Sequence, residues 1–245
     1  MIKNFKQFIS KKSHHPGLIG FFTNPFYYSR KGILDEIKRN VPDKSDIVLD
    51  LGCGKKPYFD LFKTSTYIGL DTPLSGHSHM DEPIDVFFDG KSIPIKNNTI
   101  DTVLMIEVLE HVKDTNRLLS DVNRIITYEG RLILTVPFIW EEHEIPYDFY
   151  RFTSFGIANK LSNNGFTIQY MTKIIPDFRV LTLLMNCFLR TVFIQKINNI
   201  IIRTTFSIFI YSLINILGLV GYYILPKNGC MFFGTFIIAK KSGNQ

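Results

Sequence analysis

Ile47-Val48-Leu49-Asp50-Leu51-Gly52-Cys53-Gly54 is the stretch whose reading decides the fold. Five residues of nearly unbroken apolar character are strand length, and a strand apolar on both faces is one buried in a parallel sheet. The strand runs straight into Gly-x-Gly, where missing side chains let the backbone turn sharply and let a ligand come close.

The same rhythm continues outward. Tyr67 to Asp71 is a second short strand ending in an acid, Val86 to Gly90 a third, Ile100 to Ile106 a fourth and Arg131 to Val136 a fifth. Between the last two, Leu118, Leu119, Val122, Ile125 and Ile126 recur at helical spacing, so a helix is expected over Asn116–Ile126, with Glu129-Gly130 as the turn that ends it. Upstream, Ile33 to Arg39 reads as a short amphipathic helix. Downstream, Thr153 to Asn163 reads as a helix, and Phe166 to Ile174 and Met231 to Ala239 as two more strands. Strands alternating with helical segments predict an α/β fold: a doubly wound, Rossmann-like, mostly parallel seven-stranded sheet. An apolar helical insertion separates its last two strands. The expected organisation is an N-terminal helical segment covering the ligand site (1–45), a central domain (46–174 and 231–241) and the insertion (175–230).

In such sheets, ligands bind beyond the carboxyl ends of the strands, and an acid about 20 residues after the glycine turn bonds ribose hydroxyls. Asp71 stands near that distance from Gly54. A pyrophosphate-bearing dinucleotide fits poorly, because the third glycine of G-x-G-x-x-G is replaced by Pro57, which removes an amide, and Asp50 precedes the first glycine.

Three segments carry a resemblance. Val48 to Gly54 resembles motif I of the class I S-adenosylmethionine-dependent methyltransferases, Ile106-Glu107-Val108-Leu109-Glu110-His111-Val112 the signature after strand four of their small-molecule branch, and Glu129 to Pro137 the turn and fifth strand. Glu129-Gly130 departs from the more usual Pro-Gly-Gly. The likeness runs in order from about Ile47 to Ile174. It implies S-adenosylmethionine as cofactor, with Asp50, Gly52, Cys53 and Gly54 around its methionine moiety, Asp71 at the ribose, Asp89 and Gly90 at the adenine, and Ile106 and Glu107 lining the methyl-donor pocket. A methyl donor that carries a sulfonium and an amino group but no phosphate also suits a turn that lacks the third glycine and follows an acid. On the bland reading, Asp50 and Asp89 only cap turns.

Methyl transfer to a hydroxyl needs alignment and removal of a proton, and His is the usual base near neutral pH. His111 follows strand four, and His143 lies after strand five in Trp140-Glu141-Glu142-His143-Glu144-Ile145-Pro146-Tyr147-Asp148-Phe149-Tyr150-Arg151-Phe152-Thr153. That run resembles a signature of a bacterial methyltransferase subgroup associated with surface-glycan gene clusters. His143 and His111 are the catalytic candidates; Asp148, Tyr150 and Arg151 are the acceptor-binding candidates. The alternative is a structural loop in which His143 bonds an acid and Arg151 pairs with Asp148. No metal site is expected: Cys53, Cys187 and Cys230 form no zinc pattern, and no clustered acid–acid–Asn set is found. The Asn/Asp-Pro-Pro-Tyr of base-methylating enzymes is absent after strand four.

The chain carries 28 Lys and Arg against 22 Asp and Glu. Much of the excess lies in the insertion, where Arg179, Arg190, Lys196, Arg203 and Lys227 face only Asp177. Thr204 to Pro226 has no charge and is long enough to span a bilayer, while Val180 to Ile194, carrying only Arg190, is short. Both flanking strands belong to one sheet, so the insertion starts and ends on one side. This fits a helical hairpin dipping into one leaflet with its cations at the headgroups; a buried lid or dimer interface and a true double crossing of the membrane are the alternatives. Met1 to Lys12 has no apolar run of signal-peptide length. The expectation is therefore a cytoplasmic methyltransferase at the inner membrane face, acting on oxygen of a small, glycan or lipid-linked acceptor, with self-association left open. Nucleic acid is not an expected partner. The rivals are a catalytically idle S-adenosylmethionine-binding module and an RNA methyltransferase.

Overall fold

Residues 16–76, 78–80, 82–227 and 229–242 are described in a computed structural model of the chain. The first 15 residues of the expected N-terminal segment lie outside them. The chain divides into two units, one built from the residues up to Ile37 with Lys173–Phe233, the other from Lys38–Thr172 with the chain from Gly234 onward. The N-terminal helices thus group with the insertion instead of forming a segment of their own.

The second unit carries the sheet. Its strands are β1 (Ser45–Leu51), β2 (Thr64–Asp71), β3 (Val86–Phe87), β4 (Ile100–Ile106), β5 (Ile126–Pro137), β6 (Phe166–Ile174, whose last two residues pass into the first unit) and β7 (Gly234–Lys241). They lie in the order β3-β2-β1-β4-β5-β7-β6. β1 to β5 pair parallel, and β7 returns antiparallel to β5. The order reverses between β1 and β4, so the carboxyl ends of those strands bound the crevice that such sheets use for ligands. Leu49, Val103, Leu104, Leu132 and Ile133 are wholly buried, which explains the unbroken apolar runs. Each such side chain contributes about 1.5–3 kcal/mol through burial.

The helices of the sheet unit start where the sequence supplies a cap. The Asp114 carboxylate accepts the Arg117 amide at 3.0 Å to open Thr115–Ile125, and the Thr153 hydroxyl accepts the Gly156 amide at 3.0 Å to open Ser154–Asn163. Three expectations need correction. Glu129-Gly130 is not a free turn, because β5 already begins at Ile126, directly after the helix. There the pairing steps from Ile100 with Ile126 to Thr102 with Arg131, so the residues between Ile126 and Arg131 stand off as a bulge. The third strand is only Val86–Phe87, which leaves Asp89 beyond it. Finally, β1 and β2 are connected with a single 3₁₀ turn, Phe59–Leu61, in place of a crossover helix. Pro57 therefore precedes no α-helix, and the glycine turn has no helix N-terminus to offer an anion.

In the first unit we number the helices α1 (Leu18–Thr23), α2 (Tyr27–Asn40, which runs on into the second unit at Lys38), α5 (Arg179–Val192) and α6 (Ile200–Ile224), taking Thr115–Ile125 and Ser154–Asn163 as α3 and α4. α5 and α6 are the two apolar runs of the insertion. On α6, Tyr211, Ile214, Asn215, Gly218 and Gly221 form a buried stripe at helical spacing. The Tyr28 hydroxyl donates to the Asn215 carbonyl, Asn186 Nδ2 donates to Asn215 Oδ1 at 2.9 Å, and Asn215 Nδ2 donates to the Phe21 carbonyl at 2.6 Å. Gly221 lies flat under the Phe178 ring, where a Cβ would come within 2.0 Å of it. The opposite face of α6, with Phe209, Leu213, Ile216, Leu217, Val220, Tyr223 and Ile224, is apolar and exposed. Among the described residues it is the one helix long and apolar enough to cross a membrane.

Candidate active site

The glycine turn after β1 is held by its own backbone. The Gly52 and Cys53 amides donate to the Leu70 carbonyl at 2.8 and 3.3 Å, Gly54 donates to Asp71 Oδ2 at 2.9 Å, and Lys56 donates to the Cys53 carbonyl at 2.8 Å. Gly52 sits at φ +72°, and a Cβ there would lie 2.5 Å from Val108 Cγ2, so this position needs glycine both for its backbone angle and for its packing. With these amides committed, the turn offers no nest for a phosphate.

Its surroundings favour a cation instead. Asp50 is buried at the end of β1, and its Oδ2 accepts the Tyr67 hydroxyl at 2.7 Å from the neighbouring strand. Burial pushes its carboxyl up to about 7 despite that bond. Asp71 closes β2, bonded to Gly54 and, through Oδ1, to the Thr72 amide at 2.8 Å. Lys56 bonds Asp85, and Asp85 accepts the Gly69 amide at 2.7 Å, which ties the turn to the loop before β3. Glu107, just past β4, has φ +54° and an amide bonded to Thr135 Oγ1 at 3.0 Å. Its Oε1 is buried without a hydrogen-bond partner, and burial pushes its carboxyl up to about 7, against the pull of Thr135. Acids with spare acceptor capacity beside a turn whose Gly52, Cys53, Gly54 and Lys56 amides are committed suit an amino group and a sulfonium, so the residues present fit S-adenosylmethionine.

Some sequence candidates sit differently from their expected roles. The Cys53 side chain is buried against Gly69, and burial pushes its thiol up, so it is an inert packing group. Asp89 is exposed and accepts the Lys91 amide at 2.9 Å, which is the turn-capping reading. Gly90, at φ +75°, opens onto free space, and Ile106 is half-buried at the end of β4.

Beyond the ends of β4 and β5, the structure brings the two histidines together. His111, in the 3₁₀ turn Leu109–His111, and His143, in the loop after β5, place their rings 4.6 Å apart, edge to face. His111 Nδ1 donates to the Tyr147 carbonyl at 2.8 Å. His143 Nδ1 faces the Glu141 carbonyl at 3.2 Å and Asp148 Oδ2 at 3.3 Å, and its amide donates to the same Asp148 oxygen at 2.9 Å. Burial lowers the His111 imidazole below its ordinary value. Burial opposes ionisation of Asp148, but the Arg151 and His143 hydrogen bonds hold it at about 2.

Arg151 clamps this loop. Its Nη1 and Nη2 bond the two Asp148 oxygens at 2.7 Å each, Nη1 also donates to the Tyr150 carbonyl at 2.7 Å, and Nη2 to the Glu141 carbonyl at 2.8 Å. Spent on the loop, the guanidinium positions it and has little left for an acceptor. The Tyr150 hydroxyl donates to the Lys113 carbonyl at 2.9 Å. Sequence reasoning missed Glu110, Tyr67 and Lys56. Glu110 is 0 % exposed directly beside the histidines; the Glu-x-x-Glu-His spacing was the available signal.

Two clusters of metal-ligating side chains occur among the described residues, Glu110–His111–His143 and Asp71–His79–Glu82. In the second, His79 Nδ1 bonds Glu82 at 2.7 Å and Nε2 bonds Ser75 at 2.9 Å, so both ring nitrogens are engaged and the cluster is a hydrogen-bonded network.

A Rossmann-like seven-stranded sheet with acids and a glycine turn at its carboxyl edge defines the class I methyltransferase fold. Residues 27–169 match the family described as the methyltransferase domain, and the chain belongs to that family; its cofactor is S-adenosylmethionine. An uncharacterized protein of Methanocaldococcus jannaschii is 34% identical over 101 residues, 41% of this chain and 44% of that protein. This match thus spans less than half of that relative. Among solved structures, Haemonchus contortus phosphoethanolamine N-methyltransferase 2, in complex with phosphomonomethylethanolamine and S-adenosylhomocysteine, aligns with TM-score 0.53 and 18% identity over 87% of this chain and 53% of that one. The cyclase SpnF aligns with TM-score 0.56 and 16% identity over 89% and 84%. A chain from the complex containing the Haloferax volcanii Trm112 methyltransferase activator aligns with TM-score 0.54 and 15% identity over 87% and 90%. At these identities the structures share the fold.

Proposed function

We propose that the chain is an S-adenosylmethionine-dependent O-methyltransferase acting on a small, glycan or lipid-linked acceptor. The observation that carries this reading is the His111–His143 pair beside the strand ends that hold the donor acids. The bound cofactor supplies an electrophilic methyl group on a sulfonium. Asp50, Asp71 and Glu107 would hold the donor. The histidine pair holds the acceptor hydroxyl for transfer, with Arg151 and Asp148 keeping His143 in place.

Calorimetry with S-adenosylmethionine, followed by a transfer assay on hydroxylated acceptors, tests the reading. We expect micromolar donor binding and turnover, with His143→Ala lowering kcat about 10²–10⁴-fold at unchanged donor affinity. Donor binding without turnover on any acceptor would favour the idle module, and salt-dependent RNA binding the RNA enzyme.

The exposed apolar face of α6 supports a further part of the reading, contact with the inner face of the cytoplasmic membrane, with the exposed Lys196 and the half-buried Arg203 near its start to meet anionic headgroups. Sedimentation with anionic vesicles tests it; protein left wholly in the supernatant counts against it.

A further inference from the structure

We propose that Glu110, His111 and His143 hold a divalent transition-metal ion, of the manganese-to-zinc class, whose open positions take the acceptor's hydroxyl oxygen. The acceptor's identity rests on the methyltransferase reading; the ion site stands on geometry of its own.

The ligand atoms of the three side chains all lie within 4.8 Å of one another. The hydrogen bonds around the histidines decide which ring nitrogens are free. The Tyr147 and Glu141 carbonyls can only accept, so each Nδ1 carries its proton and Nε2 is left as the lone-pair nitrogen of each ring. Metal-ligating histidines are oriented in this way, with the second nitrogen donating to a carbonyl or carboxylate. The Asp71–His79–Glu82 cluster lacks this feature.

Glu110 is the independent observation. Its carboxyl is 0 % exposed, neither oxygen has a hydrogen-bond partner, and Oε1 points at His111 Nε2 from 3.8 Å. That separation is too long for a hydrogen bond and close to the roughly 3–3.5 Å between two ligand atoms that share an ion at about 2.1 Å. A buried carboxyl without partners is costly, and a coordinated cation offsets that cost. Glu107, Glu110 and Asp148 stand against the single guanidinium of Arg151. Two imidazoles and a carboxylate favour manganese, iron, cobalt or zinc over magnesium or calcium.

An acceptor hydroxyl coordinated there loses its proton to water more easily. Its oxygen then forms the bond to the methyl carbon as the carbon–sulfur bond breaks, and that bond's electron pair stays on sulfur. The histidines act here as ligands that orient the hydroxyl.

Chelator-stripped protein titrated with MnCl2, with free Mn²⁺ read by electron paramagnetic resonance, tests the site. Zn²⁺ competition and S-adenosylmethionine calorimetry follow on the same samples. We expect one Mn²⁺ per chain, displaced by Zn²⁺, and more than about 100-fold weaker binding in Glu110→Gln and His111→Gln, both of which keep donor affinity. Glu110→Gln preserves shape and carries the test if the histidine variant fails to fold. Wild-type protein that binds donor but neither ion in one-to-one ratio overturns the site, as do variants that retain the ion. Ion binding without donor binding supports the site and sinks the methyltransferase reading instead.

Discussion

At the scale of single residues, the donor edge is built from carboxyls that do two jobs. Asp71 fixes the glycine turn through the Gly54 amide as well as facing the crevice. Asp71→Ala should therefore abolish micromolar S-adenosylmethionine binding in calorimetry and also cost about 1–3 kcal/mol of stability in denaturant, because the Gly54 amide loses its acceptor. Asp50 gives a pH signature. Its folded value of about 7 lies above the ordinary 3.8, so the folded state holds the proton more tightly. The stability tied to that proton is fully present below about pH 4 and is lost as pH rises through 7. Asp50→Asn should leave the thermal midpoint unchanged at pH 4 and raise it at pH 8, the gain in stability being at most the roughly 4 kcal/mol that the shift represents. Equal midpoints at pH 8 would remove the argument. Asp50 and Asp71 were legible in the sequence because each ends an apolar run. Glu110 was only partly so: the Glu-x-x-Glu-His spacing singles out the segment, but it does not say which carboxyl is buried beside a histidine 33 positions further on, and only the fold brings them together.

At the scale of elements, the glycine turn is the most constrained part of the sheet unit. Gly52→Ala places a methyl group 2.5 Å from Val108 Cγ2 at a backbone angle that disfavours side chains. It should cost about 2–4 kcal/mol in chemical denaturation and weaken the donor at least tenfold. α6 makes the opposite case. Replacing Phe209, Leu213 and Val220 with Ser should release the protein from anionic vesicles in sedimentation while moving the thermal midpoint little, because these side chains are exposed. β1, β2 and β4 are readable from composition. β5 is not, because Glu129-Gly130 has turn chemistry and the sequence does not show that a bulge can absorb it inside a strand. The 3₁₀ turn that replaces a crossover helix after β1 was hidden for a similar reason: Pro57 is equally at home in either.

At the scale of the whole molecule, the doubly wound, mostly parallel seven-stranded sheet followed from the alternation of strands and helices. The grouping of the N-terminal helices with the insertion did not. It depends on bonds such as Tyr28 to Asn215, separated by 187 positions, and no local periodicity reports a partner that far away. The cyclase among the structural neighbours shows that this fold houses more than one chemistry, so donor binding and turnover have to be measured separately.

The insertion leaves after Ile174 and returns at Phe233, whose amide donates to the Ile174 carbonyl at 2.9 Å. Its two ends are therefore stitched together before the sheet resumes. To the sheet, this long excursion is equivalent to a hairpin turn. Each doubling of a closed loop costs only about 0.6 kcal/mol of chain entropy, an amount that the excursion's own core repays. Such a junction is a graft point, where evolution or a protein engineer can exchange one appendage for another without redesigning the donor-binding edge.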